Sequence, residues 1–207
     1  MFLRLCDFAL SSNWMPIYDK FAARYDQAFA PLERIGLKEY RKEALSLLPE
    51  NASILELGAG TGANFEFYPQ SRSAISTELS FKMIEAANPK VRGNILVNAD
   101  AQFLPFGEGE FDAAFATLVF CSIPQPDLAF SELRRVVKPG GTVILLEHVR
   151  PNGLLGHLFD GLNFCTSRMV EDHFNRRTAD LAAASGLIVK DVRTKMAGIV
   201  NLIICGV

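Results

Sequence analysis

Closely spaced cysteine pairs, long apolar runs and a strong charge of either sign are all missing from this chain of 207 residues. Its four cysteines (Cys6, Cys121, Cys165 and Cys205) lie far apart and form no CxxC pair. That is no zinc pattern, and a disulfide framework does not suit a chain of this size, so no metal is expected and reduced thiols in a cytoplasmic protein are. No stretch reaches the roughly 18 uncharged apolar residues that span a bilayer. The opening MFLRLCDFAL holds Arg4 and Asp7 and lacks the basic start and small-residue cleavage site of a signal peptide. A net charge of -2 argues against a non-specific nucleic-acid binder, which wants a basic surface. What the chain does have is an apolar fraction of 49%, enough for one well-buried domain.

Taken in order, residues 1–48 read as a helical cap. Leu3, Cys6, Leu10 and Trp14 recur at helical spacing, which suits either a helix packed over the core or an anchor on a membrane surface. Ile17, Phe21, Tyr25 and Phe29 follow at steps of four, and Pro31 fits the first turn of a new helix ending before Pro49. Residues 49–149 then alternate strand and helix. Strands are expected at Ser53–Leu57, Ser73–Thr77, Asn94–Asn98, Phe111–Phe120 and Thr142–Val149. Helices are expected at Ala63–Tyr68, Phe81–Asn88 (capped by Ser80) and from a cap at Asp127 to Val137. Residues 150–175 are irregular and apolar, an expected acceptor cap over Leu154–Phe164. Residues 176–207 read as a helix, Arg177–Ala184, and two strands, Leu187–Val192 and Ile199–Cys205. The expected fold is therefore a single α/β domain: a Rossmann-like, doubly wound, seven-stranded sheet, mostly parallel, with one antiparallel strand near the C-terminus and an N-terminal helical cap.

The chemistry concentrates at the strand ends, where open α/β sheets bind ligands. Residues 54–62 read ILELGAGTG, a strand running into Gly58, Gly60 and Gly62, a turn that lets backbone approach a ligand closely. Glu78 ends the second strand, where a carboxylate can accept from both hydroxyls of a ribose; the alternative is a solvated strand-end charge. Asp100 ends the third, where it can accept from an exocyclic amine or simply form a turn. Gly58, Gly60, Ala63 and Glu78 alone also permit a nicotinamide-dependent oxidoreductase. Three features favour S-adenosylmethionine instead: Glu56 and Gly62, which extend the turn to E-x-G-x-G-x-G; the second acid, Asp100; and a closing hairpin in place of a second nucleotide-binding half.

With FAARYD, ILELGAGTG, TELS, NADAQFLPF, FDAAFATLVFCSI and LRRVVKPGG in this order, the sequence resembles the class I S-adenosylmethionine-dependent methyltransferases of type 11, the ubiquinone/menaquinone-methyltransferase-like group. Its TGANFEFYP, TLVFCSI and LLEHV are similar to the methyltransferase-like 7 thiol methyltransferases, and bacterial phosphatidylethanolamine N-methyltransferases are a weaker match. The resemblance implies that Glu78, with Leu79 beside it, holds the ribose. It implies that Asp100, Ala101 and Phe103 hold the adenine, and that Gly58, Ala59, Gly60 and Gly62 line the rest of the cofactor. Glu56 would lie near its ammonium, Tyr25 over it, and Leu118 beside its sulfonium. Position 78 is Glu where the family commonly has Asp. No N-P-P-[YF] follows the fourth strand, which counts against adenine-N6 and glutamine methylation.

His148 is the candidate catalytic base for a thiol or phenol, with His157 and His173 as possible acceptor-site residues and Asp160 as a partner for a cationic headgroup. Cys121 is either a reactive thiol or a small buried residue. The expected activity is methyl transfer to a small molecule, a thiol or other lipophilic acceptor. Transfer to phosphatidylethanolamine or a quinone precursor is the alternative within the class, and a non-catalytic cofactor-binding protein the alternative outside it. Residues 1–15 and 154–164 are candidate surfaces for peripheral membrane contact.

Overall fold

The computed structural model describes residues 15–149 and 176–207. The opening amphipathic stretch, the acceptor cap at Leu154–Phe164, Asp160, His157 and His173 lie outside the described residues. Among those described, no helix is long and apolar enough to cross a membrane.

Seven strands form one sheet in the order β3-β2-β1-β4-β5-β7-β6. β1 (Ser53–Leu57) and β4 (Phe111–Thr117) are its centre, pairing in parallel through Ile54↔Ala113 to Leu57↔Ala116. From β1 the chain winds one way, through β2 (Ser73–Glu78) to β3 (Ile95–Asn98). From β4 it winds the other way, to β5 (Val137–His148). That reversal creates a crevice beyond the carboxyl ends of β1 and β4. The closing hairpin, β6 (Ile188–Lys195) and β7 (Val200–Gly206), adds the one antiparallel strand, because β7 runs against both β5 and β6.

Alternation along the strands decides what each face meets. Leu55, Leu57, Val143, Leu145 and Ile203 face one core with Phe130 and Leu133 of helix α4 (Pro126–Val136) and Ala182 of α5 (Thr178–Ala184). Ile54, Phe115, Ile144, Leu146 and Leu202 face the other, with Ala44 and Leu45 of α2 (Lys38–Ser46). Helix α3 (Phe81–Ala87) follows β2, and the Ser80 hydroxyl caps it by accepting from Met83 N–H at 3.2 Å.

Several boundaries differ from the sequence reading. Pro31 begins no helix; it sits inside α1 (Met15–Leu32). The break before α2 comes at Gly36, whose φ of 135° no other residue adopts easily. The helix expected at Ala63–Tyr68 is a single 3-10 turn, Phe65–Phe67. β4 stops at Thr117 because Leu118 turns to φ 60°, and Pro126 rather than Asp127 opens α4, with no side-chain cap.

Candidate active site

The carboxyl ends of β1 to β4 open into one cavity, and each end brings a different group to its wall. After β1, Gly58, Gly60 and Gly62 have φ of 63°, 54° and 81°. This is the left-handed region, which costs other L-residues about 1–2 kcal/mol. Their surroundings differ. A Cβ on Gly58 would lie 2.6 and 2.7 Å from the two methyls of Val119, and one on Gly62 would lie 2.6 Å from the Phe65 ring. A Cβ on Gly60 would meet nothing within 4 Å, so bare backbone faces the cavity there.

After β2, the Glu78 carboxylate is fixed from both sides. Its Oε2 accepts from Gly60 N–H at 2.8 Å and its Oε1 from Ser80 N–H at 2.9 Å. Burial raises its pKa above the usual carboxylate range, while the N–H groups of Ser80 and Gly60 pull it down. Each oxygen keeps a further acceptor site, enough for two vicinal hydroxyls. After β3, Asp100 Oδ1 accepts from Gln102 N–H at 2.8 Å and from Gln102 Nε2 at 3.0 Å. The Gln102 Oε1 in turn accepts from Gln125 N–H at 3.0 Å, which pins the acid to the start of α4. Leu79, Met83, Ala101 and Ile123 complete this end of the wall.

After β4, Leu118 N–H donates to Leu146 O at 2.8 Å. The N–H groups of Val119 and Phe120 both donate to Glu147 Oε1, at 3.0 and 3.2 Å. Arg176 Nη1 donates to the carbonyls of Phe120 and Ile123. Held this way, the loop lines the cavity with Leu118, Val119, Ser122, Ile123 and Pro124.

Helix α1 supplies Tyr18 and Tyr25 to the wall and is tied down at two points. Asp19 Oδ1 accepts from Ser80 Oγ at 2.6 Å, and the Asp26 carboxylate accepts from Thr61 Oγ1 at 2.5 Å and Lys90 Nζ at 2.6 Å. Burial works to raise the Asp26 pKa, but the Lys90 and Thr61 contacts outweigh it and lower it.

Of the residues singled out from sequence, the cavity brings together Tyr25, Gly58, Ala59, Gly60, Glu78, Leu79, Asp100, Ala101 and Leu118. Glu56, Gly62 and His148 are not in its wall. Glu56 shares the parity of Ile54 and so points toward α2, where it is fully buried. There it accepts from Asn64 Nδ2 at 2.6 Å and from the Tyr68 hydroxyl, and burial raises its pKa. Gly62 packs on Phe65 instead. His148 lies on the same face as Leu146. Burial, with the Arg41 charge adding to it, lowers its pKa to about 4, so it is neutral and weakly basic at pH 7. Phe103 is 53% exposed and outside the wall, and Cys121 is buried outside it.

The wall also holds residues to which the sequence reading gave no role, among them Arg41, Thr117 and Gln102. Arg41 sits in a charged run that reads as surface; its spacing of four from the buried Leu37 and Leu45 is the signal that would have found it.

Residues 55–145 match the family model described as a methyltransferase domain. The mouse thiol S-methyltransferase TMT1B is 26% identical over 186 residues, covering 82% of this chain and 76% of the relative. The ubiquinone/menaquinone biosynthesis C-methyltransferase UbiE of Syntrophotalea carbinolica is 30% identical over 190 residues, covering 86% and 77%. A Thermotoga maritima structure described as a possible histamine N-methyltransferase shares the fold, with a TM-score of 0.74 at 22% identity over 92% of this chain and 98% of that one. A bare-backbone glycine turn, a strand-end acid beside it and identity sustained across most of both chains converge on one answer: the chain belongs to the S-adenosylmethionine-dependent methyltransferases of type 11.

Proposed function

We propose that Glu78 accepts from the ribose hydroxyls of S-adenosylmethionine and Asp100 from its adenine amine. The backbone of Gly58 to Gly60 and the Tyr25 ring enclose the cofactor, and Leu118 borders its sulfonium. The bare face at Gly60 and the spare acceptor sites on Glu78 suit that cofactor. When bound, it supplies an electrophilic methyl with a good neutral leaving group. The protein's part is then to align the acceptor and exclude water.

For the acceptor, we infer a small lipophilic nucleophile, with a thiol favoured. The carrying observation is the loop after β4: it presents Leu118, Val119, Ile123 and Pro124 to the cavity, with Ser122 as its only polar side chain there. Neither a histidine nor a carboxylate from that loop lines the cavity, and His148 lies outside its wall as a weak base. An acceptor that ionises with modest help suits such a wall, and a thiol has a reference pKa of about 8.5. The similarity to a thiol S-methyltransferase points the same way. The similarity to UbiE supports a second reading, carbon methylation of a quinone precursor.

Transfer of labelled methyl to a panel of apolar thiols, quinone precursors and phosphatidylethanolamine tests this. Transfer to thiols, with a rate that rises with pH as the acceptor ionises, is the expected result. Transfer confined to quinone precursors or phospholipid would overturn the thiol assignment.

A further inference from the structure

We propose that Glu147 is a positioning residue for the methyl acceptor: from outside the cavity wall, it holds the loop after β4 in the shape that presents Leu118 to the acceptor. The inference rests on the acceptor reading above, in which that loop forms the lipophilic wall. Glu147 is fully buried near the end of β5, the strand beside β4 in the sheet. Leu118 opens the loop with φ at 60°. For a bulky side chain that left-handed conformation is an outlier, and such strain persists only where the surroundings over-determine it.

Three hydrogen bonds do so here. Leu118 N–H extends the strand ladder by donating to Leu146 O at 2.8 Å. Beyond it, the left-handed turn brings the next two N–H groups to one side, a concave arrangement that suits an anion. Glu147 Oε1 occupies it, accepting from Val119 N–H at 3.0 Å and from Phe120 N–H at 3.2 Å. Returning Leu118 to a negative φ would swing both N–H groups away from the carboxylate, and a hydrogen bond left unmade in the interior is costly.

The neighbouring side chains fix the same register. Val119 fills the space beside Gly58, where a Cβ would lie 2.6 Å from one of its methyls, and Phe120 stacks on Phe130 with ring centres 4.2 Å apart. Held between these anchors, Leu118 lines the cavity together with Ile123 and Pro124 of the same loop. In-line methyl transfer depends on such placement, since a misplacement of about 1 Å can cost about a hundredfold in rate.

The test measures kcat/KM for naphthalene-2-thiol and, by calorimetry, the affinity for S-adenosylhomocysteine. Glu147→Leu should lower kcat/KM about 10- to 100-fold and leave the affinity within about threefold, because Glu78 and Asp100 are untouched. Glu147→Gln, whose amide oxygen can accept from the same two N–H groups, should recover most of the loss. Glu147→Asp withdraws the oxygen by one methylene; it should show the same selective loss, and it keeps the test informative if Glu147→Leu does not fold. A carboxylate that acts through Leu118 makes the two positions interdependent. Adding Leu118→Ala to Glu147→Leu should therefore lower kcat/KM by no more than about threefold further. Equal loss of kcat/KM and affinity, no loss, no recovery in Glu147→Gln, or the full product of the two single losses in the double variant would overturn the proposal. A wild type that methylates quinone precursors or phospholipid but not the thiol would instead overturn the acceptor reading, and the same variants are then compared on that acceptor.

Discussion

Gly58 and Gly60 belong to one motif, yet the structure predicts opposite consequences for the same substitution. Both have positive φ, so alanine at either costs about 1–2 kcal/mol in backbone strain. At Gly58 the new Cβ would also lie 2.6 Å from Val119 Cγ2, and Val119 cannot withdraw freely because its N–H is held by Glu147. Overpacking of that kind adds about 1–3 kcal/mol. Gly58→Ala should therefore destabilise the ligand-free protein by about 2–5 kcal/mol, and Gly60→Ala by only about 1–2 kcal/mol. Ligand affinity should be hit the other way, since the Gly60 Cβ would enter the cavity beside the N–H that holds Glu78. Gly60→Ala should weaken S-adenosylhomocysteine by about tenfold or more, the equivalent of 1.4 kcal/mol. Urea denaturation of the ligand-free variants gives the first comparison and calorimetry the second. Adding Val119→Ala should recover about 1 kcal/mol or more in Gly58→Ala and nothing in Gly60→Ala. Equal destabilisation by the two single variants, or no recovery from Val119→Ala, would refute the reasoning.

Two further outcomes follow from the residues behind the cavity. His148 has its pKa lowered from 6.5 to about 4 by burial. The fold thus favours the neutral ring: that stability is fully present above pH 6.5 and is lost as pH falls toward 4, by up to about 3 kcal/mol at 1.36 kcal/mol per unit. His148→Gln should flatten that slope in denaturation measured between pH 7 and pH 4. It should also leave kcat at pH 7 within about threefold, and a loss of about a hundredfold would restore the residue as a general base. Arg176→Ala removes donors to the carbonyls of Phe120 and Ile123, bonds worth about 1.5–3 kcal/mol each for a charged donor. Loosening that loop should lower kcat/KM by about tenfold or more in a steady-state assay, and an unchanged value would contradict its part in shaping the acceptor wall.

The sheet was legible because its signals are local. Apolar runs such as Phe111–Ala116 located the middle of every strand, though β5 begins at Val137, before the turn expected at Lys138–Gly141, and Ser80 announced α3. The strand-end acids Glu78 and Asp100 were legible for the same reason: a chain position at a strand end fixes a place in space. Strand parity was harder to use. Glu56 and His148 both sit near functional strand ends, but each falls on the face that turns to α2, and only packing reveals which face is covered by what. The motif did not announce the neighbours that Gly58 and Gly62 make room for, Val119 and Phe65; Gly58 lines the cavity as expected, while Gly62 lies outside its wall. Arg41 was hidden by composition. A charged residue in a charged run reads as surface, and its burial depends on Asn64 and Thr117, 23 and 76 residues away.

The central claim is that the carboxylate ending β2, fixed by Gly60 and Ser80, anchors the ribose of S-adenosylmethionine. Titrating the wild type and Glu78→Ala with S-adenosylhomocysteine tests it most directly. Losing hydrogen bonds to a charged acceptor, at about 1.5–3 kcal/mol each for two hydroxyls, predicts at least a hundredfold weaker binding in the variant. An affinity that survives Glu78→Ala unchanged would contradict the account.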